Sequence, residues 1–453
     1  MDQQIRVTAF AMNTPTHLSP GTWRHPDSQG RRYKDLSYWT DLARTLERGL
    51  FDGLFIADVL GAYDVYGGSP DAALRGGAQV PVNDPMMLVS AIAHVTEHLG
   101  IAVTGSTSYE HPYPFARRMS TLDHLTGGRV AWNVVTSYLD SAARNLGLDG
   151  QTGHDERYDS ADEYLEIVYK LWEGSWEDDA VRADDIYADP AKIHPIAHDG
   201  RYFKVPGIHL CEPSPQRTPF LFQAGTSDRG KDFAALHAEA VFATAPEASR
   251  LRKQVDDIRA RAAAAGRDPH AVKVFSGCTV ITAETDAEAR SRYDDYKSWI
   301  DSDGMLALFS GWLGFDLSPY RPDDPVHVVP NHAVQSIAES LGQGDWTVRD
   351  ILEKLGLGHP PVLVGSPARV ADGIQEWIAE TGADGLNLGH VVTPSTYDDF
   401  TDLIVPELQR RGVYKTRYAE GTLRHKFLGR GDRLATGHPG TRHKPPATSR
   451  ETA

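Results

Sequence analysis

One segment of the sequence has residue types and spacing that suit phosphate binding, QAGTSDRGKD at residues 223–232. It runs from an apolar stretch straight into a helical pattern. Backbone N–H groups at a helix N-terminus, with the Ser227 hydroxyl beside them, bind phosphate. The spacing from Gly225 to Lys231 also matches a P-loop, but Asp232 stands where a Ser or Thr must hold magnesium, which argues against nucleotide hydrolysis. A capped helix start without a ligand is the remaining alternative.

A second candidate segment, HDERYDSADEYLE at residues 154–166, begins another predicted helix. His154 and Tyr158 are one helical turn apart and share a face, so both could reach a ligand at the helix start. The alternative is a helix N-terminus that is rich in acids because they suit the helix dipole, with Tyr158 in the core. The residues alone favour this alternative.

Hydroxyl and amide side chains follow several other apolar stretches in the first half of the chain. Asp58 is the only acid among them. Such a set suits hydrogen bonding to a polar cofactor better than it suits nucleophilic catalysis. The residues are Asp58, Thr104, Ser106, Thr107, Asn133, Thr136 and Ser137.

Several signatures are absent from the sequence, and their absence narrows the chemistry. There is no HExxH and no paired CxxC, so we expect no metal site. There is no GxSxG nucleophile elbow. No GxGxxG follows a predicted strand, so we do not expect a nicotinamide dinucleotide to bind in the Rossmann manner.

The elements that must position these side chains alternate between short β-branched runs and longer amphipathic runs. Eight strand–helix units predict a parallel sheet that closes into a TIM barrel, an α/β fold in which the strand ends share one mouth. A doubly wound open sheet is the alternative. The predicted strands are 5–12, 53–58, 101–107, 129–137, 220–225, 238–243, 272–282 and 384–389, and the main predicted helices are 35–49, 84–99, 114–126, 158–172, 247–265 and 397–412.

The chain is predicted to form a single barrel domain over residues 1–420, with large insertions at about 60–81, 175–218 and 285–360. The first insertion is expected to be irregular, and the third mostly helical. Residues 421–453 are rich in Gly, Arg, His and Pro, which predicts a C-terminal arm or tail too polar to form a core of its own.

Composition excludes several other classes of protein. The net charge of −16 argues against a nucleic-acid partner, because phosphate neutralisation needs clustered Lys and Arg. Two cysteines, Cys211 and Cys278, cannot make a disulfide framework and suit a reducing cytosol. We see no signal peptide and no membrane-spanning stretch, so we expect a cytoplasmic protein with no membrane partner.

The sequence from about residue 5 to about 425 resembles the luciferase-like FMN-dependent monooxygenases, specifically the nitrilotriacetate monooxygenase group. Within this group it looks most similar to the dimethyl sulfide and long-chain alkane monooxygenases. The stretches that carry the resemblance are GTWRHPDSQ (21–29), YWTDLARTLERGLFDGLFIADV (38–59), RRMSTLDHLTGGRVAWNVVTS (117–137), HDERYDSADEYLE (154–166), KLWEGSWEDDAV (170–181), CEPSPQRTPFLFQAGTSDRG (211–230) and ADGLNL (383–388).

The resemblance implies a TIM barrel with FMN at the carboxyl ends of its strands. Positions near the isoalloxazine ring match Asp58 and Thr104, and positions along the flavin match Asn133 and Ser137. The implied phosphate contacts are Tyr158, Ser227 and the backbone at Thr226, with His154 near the flavin tail. For Tyr158 this implication reverses the preference for a core residue.

The resemblance also implies the reaction. An NAD(P)H-dependent flavin reductase supplies reduced FMN, which forms a flavin hydroperoxide with dioxygen and transfers one oxygen atom to a small organic substrate. A thioether or other organosulfur compound is favoured, and an alkane comes next. The candidate substrate-facing residues are His17, Tyr63, Gln79 and Tyr138, with the segment near Leu308 and Trp312.

Two alternatives of the same fold remain open at this point: a flavin- or deazaflavin-dependent oxidoreductase without oxygenation, and a non-catalytic flavin-binding protein. The long insertions favour a closed substrate cavity over an open carrier site. Luciferase-like barrels commonly pair, so we expect a homodimer or homotetramer in which the tail after about residue 420 wraps a neighbouring subunit.

Overall fold

Eight parallel strands form a closed barrel at the centre of the computed structural model, which describes residues 4–225, 227–326 and 346–445. The pairing of Ala240 with Lys273 closes the ring. The predicted TIM barrel is therefore confirmed, and the open-sheet alternative is wrong. The barrel strands are β1 (Arg6–Met12), β2 (Gly53–Ala57), β3 (Gly100–Ser106), β4 (Val130–Val135), β7 (Phe220–Gln223), β8 (Ala240–Ala243), β9 (Lys273–Thr282) and β11 (Gly385–Gly389); the remaining strands are β5 (His198–Asp199), β6 (Lys204–Val205) and β10 (Val362–Gly365).

Amphipathic helices surround the barrel, as the alternating pattern predicts. None of the helices in the described ranges is long and apolar enough to cross a membrane. The α-helices are Leu36–Arg48, Asp71–Gly76, Val89–His94, Pro112–Leu125, Asp140–Asn145, His154–Tyr169, Asp228–His237, Ala248–Ala264, Asp286–Ser298, Ser302–Leu313, Val348–Leu355, Pro367–Thr381, Ser395–Asp399, Val405–Arg410 and Leu423–Leu428, and π-helical turns lie at Lys170–Gly174 and Phe400–Ile404.

Strand β10 is an element that the sequence reasoning missed. Strand β9 has ten residues, and only its first part pairs with β8, through Lys273 to Ser276. Its last part, Thr279 to Thr282, pairs with β10 instead. The extra strand therefore covers the half of β9 that extends above the barrel wall.

The helix predicted over 84–99 is shorter in the structure and ends at His94. The cause is Arg129, which is buried and donates hydrogen bonds to the carbonyl oxygens of Ala93 and Thr96, both at 3.0 Å, and of Leu99 at 3.1 Å. The guanidinium group thus satisfies carbonyls that no further helical turn satisfies, where the chain turns into β3.

The first insertion is more ordered than expected, because it contains the helix Asp71–Gly76. This helix meets the helix Ser302–Leu313 of the third insertion at two glycines. A Cβ atom added at Gly76 would lie 2.9 Å from the Cα of Gly304, so only glycine permits the contact. Two insertions far apart in sequence therefore join above the barrel mouth.

The described part of the tail packs on the barrel of its own chain. Leu423 and Phe427 enter a cluster with the barrel-lining Phe220 and Phe222. Arg424, only 1% exposed, binds Glu239 at 2.6 Å from its Nε. The expectation of a polar arm is therefore wrong for residues 422–428, which close the bottom of the barrel.

Replacing Phe427 by Ala should lower the free energy of unfolding by about 3–5 kcal/mol, because the cavity would open inside a packed aromatic cluster. Urea unfolding followed by circular dichroism measures the change. Leu210→Ala is the control, since Leu210 is 58% exposed and its truncation should cost less than about 0.5 kcal/mol. Equal losses of stability in the two variants would contradict the closure of the barrel bottom by Phe427.

Candidate active site

Two connected chambers open at the carboxyl ends of the barrel strands. The helix-side chamber, about 300 Å³, lies beside the start of the helix Asp228–His237. The aromatic chamber, about 330 Å³, lies over the barrel interior. Both share a junction lined by Asp58, Val59, Val135, Tyr138 and Ala224.

The helix-side chamber is built around Ser227, which caps the helix Asp228–His237. The Ser227 hydroxyl oxygen accepts a hydrogen bond from the backbone N–H of Gly230 at 3.0 Å. His154 Nε2 lies 3.2 Å from the same oxygen, and its Nδ1 lies 2.7 Å from Asp155. The predicted helix start is confirmed, and the helix dipole directs positive potential into this chamber.

Tyr158 lies behind this helix start, where two glycines give it room. A Cβ atom at Gly225 would lie 2.5 Å from the Tyr158 hydroxyl oxygen, and one at Gly230 would lie 2.8 Å from it. Tyr158 is 5% exposed and also lines the chamber, so it is a core residue that borders the chamber. Thr226, the other predicted residue of this turn, lies outside the described residues.

The junction between the chambers holds Asp58, whose carboxyl group is an unusual acid. Burial raises its pKa to about 7, the nearby charge of Asp84 adds to the rise, and a hydrogen bond from the backbone of Val59 opposes it. Near neutral pH, Asp58 is therefore divided between its acid and its carboxylate form.

Two amide oxygens near the junction have no hydrogen-bond partner among the described residues: Asn133 Oδ1 and Gln223 Oε1. Thr104 fixes the orientation of Asn133, because its hydroxyl donates to the Ile56 carbonyl at 3.1 Å and so must accept from Asn133 Nδ2 at 3.0 Å. Buried amide oxygens without a donor are costly, which indicates sockets for N–H groups of a ligand.

Ser137 borders the helix-side chamber in a strained conformation. Its φ is +58°, which is left-handed and unfavourable for a residue with a side chain. Its hydroxyl lies 2.9 Å from that of Ser106. Such strain concentrates at functional sites, where the surrounding structure holds it in place.

The wall of the aromatic chamber contains a hydrogen-bonded group centred on Tyr63. The Tyr63 hydroxyl lies 2.8 Å from Gln79 Oε1 and 2.7 Å from the Tyr138 hydroxyl, and Trp312 Nε1 donates to it at 3.2 Å. Gln79 Nε2 in turn donates to the backbone carbonyl of His17 at 2.8 Å. Phenylalanines 10, 55, 242 and 309 supply much of the remaining wall.

Histidines in this chamber are neutral. Burial is the main cause that lowers the pKa of His17 well below its usual value, and it lowers the pKa of His359 and of His390 to about 4. His17 and His359 both line the chamber. The chamber therefore presents no histidine cation to a ligand at neutral pH.

All the predicted site residues that the structure describes line one of the two chambers. They are Asp58, His17, Tyr63, Gln79, Tyr138, Thr104, Asn133, Ser137, His154, Tyr158 and Ser227. Trp312 also lines the aromatic chamber, whereas Leu308 packs behind it. Within the described residues, no group of His, Cys, Asp and Glu could hold a metal ion.

Sequence reasoning missed several lining residues. Arg157 and Gln223 line the helix-side chamber, and His359 and Asn387 line the aromatic one. Gln223 and Asn387 lie at or near the ends of predicted strands, which is a usable signal. Arg157 follows only from the helix face next to Tyr158, and His359 had no local signal.

A TIM barrel whose strand ends border a helix start and an enclosed apolar chamber has the layout of a cofactor-dependent enzyme. The model of the luciferase-like monooxygenase family matches residues 8–385. The chain therefore belongs to the luciferase-like monooxygenase family, and it is a flavin-dependent monooxygenase.

Characterised members of this family are similar over nearly the whole chain. The dimethyl-sulfide monooxygenase of Hyphomicrobium sulfonivorans is 51% identical, across 100% of this chain and 96% of that protein. The long-chain alkane monooxygenase of Geobacillus thermodenitrificans (strain NG80-2) is 51% identical, across 98% and 99%. A riboflavin lyase solved with modified FMN is 38% identical, with a TM-score of 0.92 and coverage of 98% and 100%. Component A of the nitrilotriacetate monooxygenase of Aminobacter aminovorans is 36% identical, across 89% and 92%.

The Asp58→Asn variant should gain stability relative to the unmodified chain as pH rises from 4 to 8, without flavin. Because the pKa of Asp58 is raised from 3.8 to about 7, the folded protein binds more protons than the unfolded one between these values, and stability falls as pH rises. The gain should reach up to about 4 kcal/mol, at about 1.4 kcal/mol for each unit of pKa.

Urea unfolding of both proteins at several pH values measures this difference. Asp84→Asn is the companion variant, because Asn also caps a helix but removes the charge that raises the pKa of Asp58. In this variant the pH range over which stability falls should move to lower pH. A stability difference between the Asp58→Asn variant and the unmodified chain that does not depend on pH would show that Asp58 ionises as an ordinary surface acid.

Proposed function

We propose that this protein is the oxygenase component of a two-component monooxygenase, which takes reduced FMN from a separate NAD(P)H-dependent flavin reductase and oxygenates a thioether or another small organosulfur compound. An alkane is the next choice of substrate. The observation that carries the proposal is the pair of chambers, one suited to a phosphate and one suited to an apolar molecule, with two amide oxygens near their junction that have no partner among the described residues.

The residues fit FMN at both ends of the site. Ser227, Tyr158 and the backbone after Gly225 would hold the phosphate, with His154 and Arg157 beside it. The pyrimidine edge of a flavin carries an N–H donor, for which Asn133 Oδ1 and Gln223 Oε1 are free acceptors among the described residues. Thr104, Ser137 and the backbone at Thr226 complete the proposed set.

When bound, the reduced flavin supplies the electrons that activate dioxygen, and the chain supplies the surroundings. Asp58 lies between the chambers, where its divided protonation lets it donate or accept a hydrogen bond at its carboxyl oxygens. The phenylalanines of the aromatic chamber keep water out of the reacting region, which limits side reactions there.

The substrate proposal rests on the aromatic chamber and on the relatives. Phe10, Phe55, Phe242 and Trp312 form a wall that suits a neutral apolar molecule. His17, Tyr63, Gln79 and Tyr138 supply the polar positions of this wall. Similarity to the dimethyl-sulfide enzyme favours a thioether, and similarity to the alkane enzyme makes an alkane the next choice.

We further propose that residues 1–420 form one barrel domain, whose bottom is closed by residues 422–428, and that the chain works as a homodimer or homotetramer in the cytoplasm. Among the described residues of this tail, the loop after Leu428 lies outside the bottom closure and returns to the barrel through His438. Because residues 422–428 close the bottom of the barrel, we propose that contact with a neighbouring subunit comes from residues after Leu428.

The Ser227→Asp variant should bind FMN about tenfold to hundredfold more weakly, because a carboxylate would face the phosphate at a few ångströms. The affinity for riboflavin, which lacks the phosphate, should change by less than about twofold. Asp is itself a good helix cap, so the helix start is kept. Fluorescence quenching of both flavins measures the affinities.

Thr285→Asp is the matched control, since Thr285 caps the helix Asp286–Ser298 away from both chambers. It should leave the affinity for FMN and for riboflavin unchanged. An equal loss for FMN and riboflavin in the Ser227→Asp variant would mean that the phosphate binds elsewhere.

The purified chain should not oxidise NADH or NADPH by itself, because its sequence has no dinucleotide-binding fingerprint. Oxygen uptake with dimethyl sulfide should begin when a flavin reductase or photoreduced FMN is added. An oxygen electrode with product analysis measures both. Direct oxidation of NADH would refute the two-component arrangement, and flavin oxidation without any oxygenated product across thioethers, sulfones and alkanes would refute the oxygenase.

A further inference from the structure

The hydrogen-bonded group in the wall of the aromatic chamber has a fixed direction. Gln79 Nε2 donates to the backbone carbonyl of His17, and a carbonyl can only accept, so the orientation of the Gln79 amide is set. Gln79 Oε1 therefore faces Tyr63, and Tyr63 is its only hydrogen-bond partner among the described residues. Gln79 is 4% exposed, so leaving this oxygen without a donor would be costly.

The Tyr63 hydroxyl has one proton, and it donates this proton in a hydrogen bond to Gln79 Oε1. The 2.7 Å contact between the hydroxyls of Tyr63 and Tyr138 then has only one possible donor, which is Tyr138. Burial raises the pKa of Tyr63 to about 12 and raises that of Tyr138, so both hydroxyls keep their protons. The order of donation is Tyr138 to Tyr63 to Gln79 to the His17 carbonyl.

Tyr138 is therefore the first donor in this series of hydrogen bonds, and its oxygen can accept a hydrogen bond at the junction of the two chambers. Trp312 Nε1–H is the other donor nearby and is shared between the hydroxyls of Tyr63 and Tyr138. A phenol oxygen has two lone pairs, so one remains for a ligand.

We infer that the aromatic chamber recognises its ligand through a hydrogen bond that the ligand donates to Tyr138, so the preferred class of ligand is a neutral apolar molecule with one hydroxyl group. Among organosulfur compounds this class is the hydroxyalkyl thioethers. The inference rests on the proposed function only for the assignment of this chamber to the substrate. Ethers of the same shape have no donor and would bring two acceptor oxygens together.

The test compares 6-(methylthio)hexan-1-ol with its methyl ether, measured by isothermal titration calorimetry on the chain without flavin. The alcohol should bind about threefold to tenfold more tightly, the range that one hydrogen bond supplies. In the Tyr138→Phe variant the affinity for the alcohol should fall to that for the ether. Because no turnover is measured, failure of the oxygenase proposal cannot imitate either result.

Gln79→Met gives a result that a purely structural role would not produce. Without the Gln79 oxygen, Tyr63 donates to Tyr138, and the proton of Tyr138 turns toward the chamber. The ether should then gain affinity and the preference for the alcohol should fall to about one, as expected from one redirected hydrogen bond.

Tyr414→Phe is the matched control, because the Tyr414 hydroxyl donates to the Leu50 carbonyl at 2.9 Å, outside both chambers. It should keep the preference for the alcohol, and the melting temperature of each variant checks its folding. Equal binding of alcohol and ether to the unmodified chain, or an unchanged preference in both the Tyr138 and the Gln79 variants, would overturn the inference.

Discussion

A column of aromatic rings fills the barrel from its bottom to the floor of the active site, and the depth of the site depends on it. Phe427 contacts Phe222 at a ring distance of 6.0 Å, and Phe222 stacks on Phe242 at 5.0 Å. The column continues through Phe55 to Phe10, at 4.3 and 5.4 Å. Because the interior is packed to this level, ligands can occupy only the space above it.

The same burial sets the electrostatics of the site. Asp58 holds its proton to higher pH than an ordinary aspartate, and His17 remains neutral, because burial disfavours the charged form of each. The cover comes from two insertions that meet at Gly76 and Gly304. Packing in the barrel and contact between the insertions thus act on the site through one property, which is the exclusion of water.

The fold could be predicted from the sequence to the extent that its signals are local. The eight barrel strands follow from short apolar runs, and Ser227 from a cap at a strand–helix turn. The early end of the helix Val89–His94 could not be predicted, because it depends on Arg129, 33 residues beyond Thr96, which donates hydrogen bonds to the carbonyls that follow the helix. Strand β10 and the closure by Phe427 likewise depend on partners distant in sequence.

For the site, strand ends predicted the residues that line the chambers but not the order of their hydrogen bonds. That order depends on one buried amide. Gln79 adopts a left-handed backbone, with φ at +54°, which costs about 1–3 kcal/mol for a residue with a side chain. Glycine would relieve the strain but would remove the only described acceptor of the Tyr63 proton. The backbone strain at Gln79 and the direction of the hydrogen bonds from Tyr138 through Tyr63 are therefore two consequences of the same residue.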